Sequence, residues 1–351
     1  MSGKTEQTMI GGASVHPLPR SADNTAKPPA PHAGGLSRNP GMPLDLGWLE
    51  AMRHINRSAL ERRVDTLGKR RSIKKEHQAA WLLRALAVMD LTTLSSDDTP
   101  DRVLRLCAKA RNPLRPDLMA GLGIEDEEIT PAAVCVYHPF VSIAAEALAG
   151  TGIHVAAVST AFPHGLAPLP TRIAEIRASV EDGADEIDVV IPRGLVLGAH
   201  WEELYDEIAQ FRAACGQAHL KVILGTGDLA TLRNVTLASM VAMMAGADFI
   251  KTSTGKESVN ATLPVGLAMV RCIRAYHEHT GIHIGFKPAG GISTAKASLD
   301  WLVLMNEELG RRWLEPDLFR FGASSLLTDI ERQLEHHLTG RYSAAHRHAM
   351  A

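Results

Sequence analysis

The sequence lacks several features that would assign the protein to a class at once. It has four cysteines among 351 residues, and no two of them form a CxxC pair. This spacing predicts neither a zinc site nor a disulfide framework, and it favours free thiols in the cytoplasm. We expect no signal peptide and no membrane span, because the N-terminus has no apolar segment and no run of about 18 apolar residues occurs. A net charge of −2 indicates binding neither to nucleic acid nor to a membrane surface.

The composition changes along the chain and predicts that the chain has four segments. Residues 1–45 are rich in Pro, Gly, Ser and Asn and are predicted to be a disordered tail. Residues 46–76 are predicted to be a helical and basic extension, whose run at 62–75 is either a solvated linker or a docking patch for anions. Residues 77–343 are predicted to form one catalytic domain, and 344–351 a flexible C-terminal tail.

Short β-branched runs alternate with helical stretches from about residue 77 onward. The eight predicted strands are 87–94, 132–137, 154–160, 186–192, 220–227, 248–254, 283–291 and 318–325. Eight β/α units in about 250 residues predict a closed (β/α)₈ barrel, also called a TIM barrel. An open doubly wound sheet is the alternative. It is disfavoured because the first strand runs into "DLTTLSSDD" rather than a glycine-rich turn.

Charged side chains are predicted to face the interior of this barrel. Alternate residues of a strand face opposite sides, so Ile187 and Val189 face the helices and Asp188 faces inward. The same rule gathers inside the barrel Asp90, Cys135, Asp188, Lys221, Lys251 and Lys287. Desolvating three amines and two carboxylates is unfavourable, so they form either a structural ion-pair network or a catalytic site. Their position near the C-terminal ends of the strands favours catalysis.

Two of these lysines lie on consecutive strands. In "DFIKTST", Lys251 and Ser253 share the inner face, while Phe249 and Ile250 are predicted to supply the packing. Lys287 lies on the next strand, about 4.8 Å away. Burial and a neighbouring cation both lower the pKa of a lysine, and a neutral amine attacks carbonyls to form a Schiff base. We assign Lys251 as the nucleophile and Lys287 as the cation, although their pairing alone leaves the two roles interchangeable.

Glycines, serines and one lysine follow the last three strands and predict a phosphate site. These residues are Gly255, Lys256, Gly290, Gly291, Gly322, Ser324 and Ser325. Glycines allow backbone N–H groups to approach an anion, and barrels often bind phosphate after strands seven and eight. The segment "STGK" is not a nucleotide-binding P-loop, because Ile250 and Glu257 occupy positions that require Gly and Ser or Thr. A phosphorylated aldehyde or sugar fits this arrangement.

Seven ordered motifs resemble those of the deoxyribose-phosphate aldolases. They are "VMDLTTL", "AAVCVY", "EIDVV", "LKVIL", "DFIKTSTGK…VNAT", "GFKPAGG" and "FRFGASSLL". The resemblance covers about residues 72–343, and the flanking segments look like the longer, animal-type branch. It implies a class I, metal-free carbon–carbon lyase without a cofactor, on a (β/α)₈ barrel. Such an enzyme interconverts 2-deoxy-D-ribose 5-phosphate with D-glyceraldehyde 3-phosphate and acetaldehyde, in deoxyribonucleotide catabolism.

The resemblance also implies roles for individual residues. Lys251 matches the Schiff-base lysine, Lys287 the lysine that tunes its pKa, Asp188 the acid/base carboxylate and Lys221 a supporting residue. The residues that match substrate-binding positions are Asp90, Thr92, Cys135, Gly255, Lys256, Gly290, Gly291, Gly322, Ser324 and Ser325. No metal ligand is expected. The expected partners are small phosphorylated sugars and aldehydes, with a homodimer as the predicted assembly.

The sequence departs from the family pattern at some positions, and other functions compete with the one that the resemblance implies. Gly225 stands where many bacterial members have Glu, so we give it no catalytic role, and a role for Tyr342 near the C-terminus is open. Another Schiff-base barrel enzyme, such as a transaldolase or a fructose-phosphate aldolase, would share the phosphate site but not the seven motifs. A non-catalytic barrel would lack at least one of Lys251, Lys287 and Asp188. A metal-dependent aldolase is disfavoured because the histidines of "HEHTGIH" fall at the wrong barrel face.

Overall fold

The computed structural model describes residues 38–70 and 73–348. It contains eight short parallel strands, most of whose residues are buried. They are β1 (Met89–Thr92), β2 (Ala133–Tyr137), β3 (His154–Ser159), β4 (Glu186–Val190), β5 (His219–Ile223), β6 (Phe249–Lys251), β7 (Gly285–Lys287) and β8 (Phe321–Ala323). Each strand lies within, or within one residue of, a run predicted from the sequence.

The strands form one sheet that closes on itself. Their order is β7-β6-β5-β4-β3-β2-β1-β8, and every pair is parallel. Two parallel bridges, Phe286 to Phe319 and Ala289 to Gly322, join β7 to the β8 segment. The closed (β/α)₈ barrel is therefore confirmed, and the open doubly wound sheet is excluded.

Helices cover the outside of the barrel and extend it at the N-terminus. They are α1 (Leu46–Ala51), α2 (Arg57–Arg70), α3 (Lys75–Ala87), α4 (Pro100–Arg111), α5 (Pro116–Leu122), α6 (Val141–Ala147), α7 (Leu169–Glu181), α8 (Arg193–Leu197), α9 (Trp201–Cys215), α10 (Leu232–Met244), α11 (Leu263–Thr280), α12 (Ala295–Glu308) and α13 (Ser325–Thr339). Several begin with a capping threonine, such as Thr231 before α10 and Thr262 before α11. None of the helices in the described ranges is long and apolar enough to cross a membrane.

The two faces of each strand have different environments. Outward side chains such as Ile187, Val222 and Ile250 are fully buried against the helices, where each stabilises the fold by about 1.5–3 kcal/mol. Phe249 was expected to pack with Ile250, but this prediction is wrong. Its ring lies on the inner face, 5.9 Å from the Lys221 Nζ, because residues 249 and 251 necessarily face the same side of the strand.

The chain before α1 is anchored to the barrel, which differs from the predicted tail at 1–45. Residues 1–37 lie outside the described part of the chain. Asn39 is buried, and its side-chain amide donates to the carbonyls of Met243 (2.7 Å) and Ala247 (2.9 Å). Its backbone N–H donates to Asp248 at 2.9 Å. Asn39 therefore caps the N-terminal end of β6.

The extension predicted at 46–76 packs on the barrel helices. Trp48 stacks on Tyr276 with ring centroids 6.2 Å apart, and Leu67 of α2 is fully buried. Arg63, in the basic run 62–75, donates to Glu308 at 2.8 Å. Of that run, residues 62–70 lie in α2, residues 71 and 72 are not described, residues 73 and 74 lie outside a helix, and Lys75 begins α3.

The described part of the predicted C-terminal tail, 344–351, also contacts the fold. His348 is buried, with its Nε2 2.7 Å from the Ser343 hydroxyl and 3.0 Å from a Glu335 oxygen. Residues 349–351 lie outside the described range. Tyr342 is 90% exposed and packs beside His336, so its ring does not lie in the barrel.

Candidate active site

Seven charged side chains meet in the barrel interior. The cations are Lys221, Lys251, Lys287 and Arg320, and the carboxylates are Asp90, Glu186 and Asp188. The strand register brings them together, because Asp188 is paired with Lys221 across β4 and β5, and Lys251 with Lys287 across β6 and β7. Six of these residues are fully buried or nearly so on strands, and Arg320 immediately precedes β8.

Asp188 connects the three lysines. One of its oxygens accepts hydrogen bonds from both Lys251 and Lys287, each at 2.7 Å. Its other oxygen accepts from Lys221 at 3.2 Å. The carboxylate therefore lies where it can exchange protons with either amine of the β6–β7 pair.

A second group of contacts lies beneath this carboxylate. Asp90 accepts hydrogen bonds from Lys287 and from Arg320, the latter at 2.7 Å. Glu186 binds Arg320 through both carboxylate oxygens, at 2.7 and 3.1 Å, and also accepts a hydrogen bond from Lys221. Each buried carboxylate thus has at least two cationic partners, which offsets the desolvation of the charges.

The two paired amines differ in pKa. Burial lowers the pKa of Lys251, and the charge of Lys287 lowers it further, while Asp188 opposes the shift without cancelling it. Burial acts on Lys287 in the same direction, but Asp188 and Asp90 together raise its pKa above that of an ordinary lysine. Lys251 is therefore the amine with the larger neutral fraction, which a nucleophile requires.

The carboxylates remain ionised. Burial raises the pKa of each, but the surrounding lysines and Arg320 outweigh burial and hold the pKa of Asp90, Glu186 and Asp188 below the ordinary values. Three carboxylates and four cationic side chains leave one excess positive charge. A neutral Lys251 removes this excess, so charge balance and the low pKa of Lys251 agree.

A cavity of about 350 Å³ opens above Lys251, at the C-terminal ends of β1, β6, β7 and β8. Lys251 is part of its wall. Eight of the ten predicted substrate-binding residues also line it: Thr92, Gly255, Lys256, Gly290, Gly291, Gly322, Ser324 and Ser325. The other two, Asp90 and Cys135, are fully buried in the barrel interior. Burial raises the pKa of the Cys135 thiol, so this side chain is a neutral part of the interior wall.

The cavity has features that suit an anion. Lys256 is exposed at its rim, and Ser324 and Ser325 lie at the N-terminus of the 15-residue helix α13. Free N–H groups and the helix dipole favour negative charge there. Gly290 and Gly291 have φ values of 81° and 80°, which glycine adopts without strain. The N–H of Gly255, by contrast, already donates to Glu257 at 3.1 Å.

Comparison with known proteins assigns the sequence to a family. Residues 84–329 match the DeoC/LacD family aldolases. The chain belongs to this family. It is 60% identical to the deoxyribose-phosphate aldolase of Mus musculus over 308 residues, which cover 87% of this chain and 96% of that protein. It is 59% identical to the Homo sapiens deoxyribose-phosphate aldolase over 312 residues, or 88% and 98% of the two chains. The deoxyribose phosphate aldolase structure from Aeropyrum pernix, described as a unique tetramer, shares the fold (TM-score 0.53, 21% identity, 82% and 100% of the chains).

Sequence reasoning missed two members of this aldolase's interior network. Arg320 lies between Phe319 and Phe321 in "LFRFG", so the alternation rule that selected the lysines also directs it inward. Glu186 lies two residues before Asp188, so the same rule directs it inward as well. The two side chains bind each other, and Arg320 also donates to Asp90 and to the Pro316 carbonyl.

Two other features of the structure lie away from the interior lysines. A larger groove of about 970 Å³ lies between residues 53–61 and the N-terminal ends of α10 and α11, and none of the charged interior residues lines it. The chemistry therefore assigns the active site to the smaller cavity. His277 and His283 pack on each other and on Trp313, at the N-terminal end of β7, opposite the end where Lys287 lies.

Proposed function

We propose that the chain is a deoxyribose-phosphate aldolase, cleaving 2-deoxy-D-ribose 5-phosphate reversibly into D-glyceraldehyde 3-phosphate and acetaldehyde through a Schiff base on Lys251. The observation that carries the proposal is the position of Lys251. Its amine contacts Asp188 in the interior network, and Lys251 is also part of the wall of the anion-suited cavity. The relatives in mouse and human bear the name of this activity.

The first step joins Lys251 to the substrate. The neutral amine attacks C1 of the open-chain sugar, and the resulting carbinolamine loses water to give an iminium ion. Asp188, 2.7 Å from the amine, stabilises the new positive charge and returns the proton needed for water to leave, directly or through a water molecule. Lys287 stays cationic and supplies the electrostatic field in which Lys251 is neutral.

The second step breaks the bond between C2 and C3. A base removes the proton of the C3 hydroxyl, the oxygen forms the aldehyde of glyceraldehyde 3-phosphate, and the bonding electrons move to C2 and the imine nitrogen. The resulting enamine takes a proton at C2, and water then hydrolyses the iminium to release acetaldehyde and the amine. We assign the proton transfers to Asp188, with Lys221 holding its second oxygen at 3.2 Å.

The phosphate group is assigned to the cavity beside Lys251. Lys256, Gly290, Gly291, Ser324 and Ser325 supply an ammonium group, backbone N–H groups and a helix N-terminus at one rim. Binding there would hold the far end of the sugar, so that its aldehyde end reaches Lys251. Thr92 and Gly322 line the path between the two ends.

Activity of matched lysine variants tests this proposal. Acetaldehyde release from 2-deoxyribose 5-phosphate is measured for the wild type and for Lys251→Met, with the exposed Lys296→Met as the control. We expect Lys251→Met to lose about a thousandfold or more in kcat/KM and Lys296→Met to match the wild type. Cleavage of fructose bisphosphate or transaldolase activity in place of this reaction would support the competing barrel enzymes and overturn the assignment.

Compartment and assembly are part of the same proposal. All four cysteines are buried and free, which supports a reducing compartment such as the cytoplasm. We retain the homodimer as the predicted assembly, and sedimentation equilibrium of the purified chain would distinguish it from a monomer or a tetramer.

A further inference from the structure

A glutamate closes the turn that carries the cavity lysine. Glu257 has a side chain only 2% exposed. Its two oxygens accept hydrogen bonds from the backbone N–H of Thr254, each at 3.0 Å, and from the Thr254 hydroxyl at 2.8 Å. One oxygen also accepts from the Gly255 N–H at 3.1 Å. A carboxylate that accepts several N–H and O–H bonds from one turn holds that turn in a single shape.

An arginine holds this carboxylate from the opposite side. Arg193, at the start of α8, donates to Glu257 at 3.1 Å. The same guanidinium donates to the carbonyls of Pro163 (2.9 Å) and His164 (3.2 Å), and its Nε lies 3.3 Å from Asp228. Arg193 therefore joins the loops that follow β3, β5 and β6 at the C-terminal end of the barrel.

Gly225 leaves the space that this arginine occupies. Its φ is 66°, and a Cβ built there would overlap the Nε of Arg193 and lie 3.0 Å from its Cζ. A side chain at 225 would thus displace the guanidinium from Glu257. This accounts for the glycine at position 225, to which the sequence alone assigns no catalytic role.

The charge of Glu257 also needs this partner. The carboxylate lies on the turn that borders the proposed phosphate cavity, where a second negative charge would repel the substrate. The Arg193 guanidinium neutralises it, and the Arg193 side chain is itself only 13% exposed, so solvent screens the pair weakly. The pair can therefore shape the turn without opposing an anionic ligand.

We propose that Glu257, held by Arg193, is the positioning residue that fixes the Thr254–Lys256 turn for binding of the substrate phosphate. The inference rests on the proposed function, because it assigns the cavity to a phosphate. It adds two residues outside the lysine network, neither of which contacts Lys251. Their removal should weaken recognition of the phosphate and leave the chemistry at Lys251 intact.

Two substrates separate these effects. Steady-state cleavage is compared for 2-deoxyribose 5-phosphate and for unphosphorylated 2-deoxyribose, with Glu257→Ala, Glu257→Gln, Arg193→Met and the double variant Arg193→Met/Glu257→Gln. We expect Glu257→Ala to raise KM for the phosphorylated substrate by about tenfold or more, the scale of one lost charge-assisted hydrogen bond. Cleavage of 2-deoxyribose should change less than about twofold. The surface variant Glu203→Gln is the matched control and should match the wild type.

The Arg193 variants test the charge argument. Arg193→Met leaves the Glu257 carboxylate without its guanidinium and should raise KM for the phosphorylated substrate more than Glu257→Gln does. In the double variant the excess should disappear, because the neutral amide no longer repels phosphate. Calorimetric titration with inorganic phosphate gives a second measure. The phosphate affinity of Arg193→Met should be lower than that of Glu257→Gln, and the double variant should lack this additional loss.

The outcomes separate this inference from the proposed function. Equal losses on both substrates, or unchanged phosphate affinity in Glu257→Ala, would overturn the positioning role and leave the aldolase assignment standing. A wild-type protein without activity on either substrate would instead refute the assignment of the reaction.

Discussion

The pKa of Lys251 is decided by the charges of a few neighbouring residues. It contacts one carboxylate, Asp188, and shares that carboxylate with Lys287. Lys287 contacts a second carboxylate, Asp90, and so keeps its proton more easily. Two lysines with nearly equal burial thus acquire opposite pKa shifts because one has an additional anionic partner. This difference supports a nucleophilic Lys251 and a cationic Lys287.

Removing the charge of Lys287 tests this account. In Lys287→Leu, the repulsion between the two ammonium groups is lost and Asp188 keeps only Lys221 and Lys251 as cationic partners, so the pKa of Lys251 should rise. The neutral fraction at pH 7 then falls, and the pH profile of imine formation with acetaldehyde should move upward by about one to three units. The profile is measured by borohydride trapping across the pH range, with Lys296→Leu as the control. An unmoved profile would remove Lys287 from its assigned role.

At the scale of the elements, alternation along the strands accounts for most of the interior. The rule that residues two apart share a face predicted the inward positions of Asp90, Asp188, Lys221, Lys251 and Lys287, and all five are buried in the barrel. The same rule, applied without regard to residue type, would also have directed Phe249 and Arg320 inward. Phe249 was instead assigned to the packing with Ile250, and Arg320 was given no position.

Contacts between distant segments could not be predicted from local pattern. Asn39 bonds to residues more than 200 positions later, and its surroundings in the sequence are typical of a disordered tail. Arg193 and Glu257 meet only because the loops after β4 and β6 converge at one end of the barrel. Such pairs depend on the closed fold, so a single sequence read segment by segment does not contain a signal for them.

The approach of β8 to β7 depends on a glycine. A Cβ at Gly322 would lie 2.8 Å from the Ala289 Cβ and 3.3 Å from the Lys287 Cε. We expect Gly322→Ala to displace β8 or Lys287 and to lower the free energy of unfolding by about 1–3 kcal/mol, measured by urea denaturation. Gly194→Ala is the matched control, because nothing lies within 4 Å of a Cβ there and alanine favours the helix. Equal stabilities of the two variants would contradict this packing argument.

At the scale of the whole molecule, the charged interior links stability to function. Arg320 binds two carboxylates, Asp90 and Glu186, that no solvent reaches. Arg320→Met would leave both short of a cation and should lower the free energy of unfolding by about 3–5 kcal/mol. Arg84→Met, which removes a half-exposed pair with Glu315, should lower it by less than about 1 kcal/mol. Urea denaturation of both variants checks the difference, and similar losses would mean that the interior network contributes little.

The same network predicts how stability depends on pH. Asp90, Glu186 and Asp188 have a lower pKa in the folded protein than in the unfolded chain. Their contribution is present above the unfolded pKa values, near 4, and is lost as the pH falls toward the folded values. The melting temperature should therefore decrease steeply below about pH 4. A melting temperature that stays constant from pH 6 to pH 3 would contradict ionised carboxylates in the interior.

The central claim is that Lys251 forms the Schiff base, and covalent trapping tests it most directly. The full chain is incubated with acetaldehyde, reduced with borohydride, digested and mapped by mass spectrometry. We predict an N-ethyl group on Lys251 at neutral pH, with Lys287 unmodified and no adduct in Lys251→Met. An adduct on Lys287 alone, or the absence of an adduct at Lys251, would contradict the account.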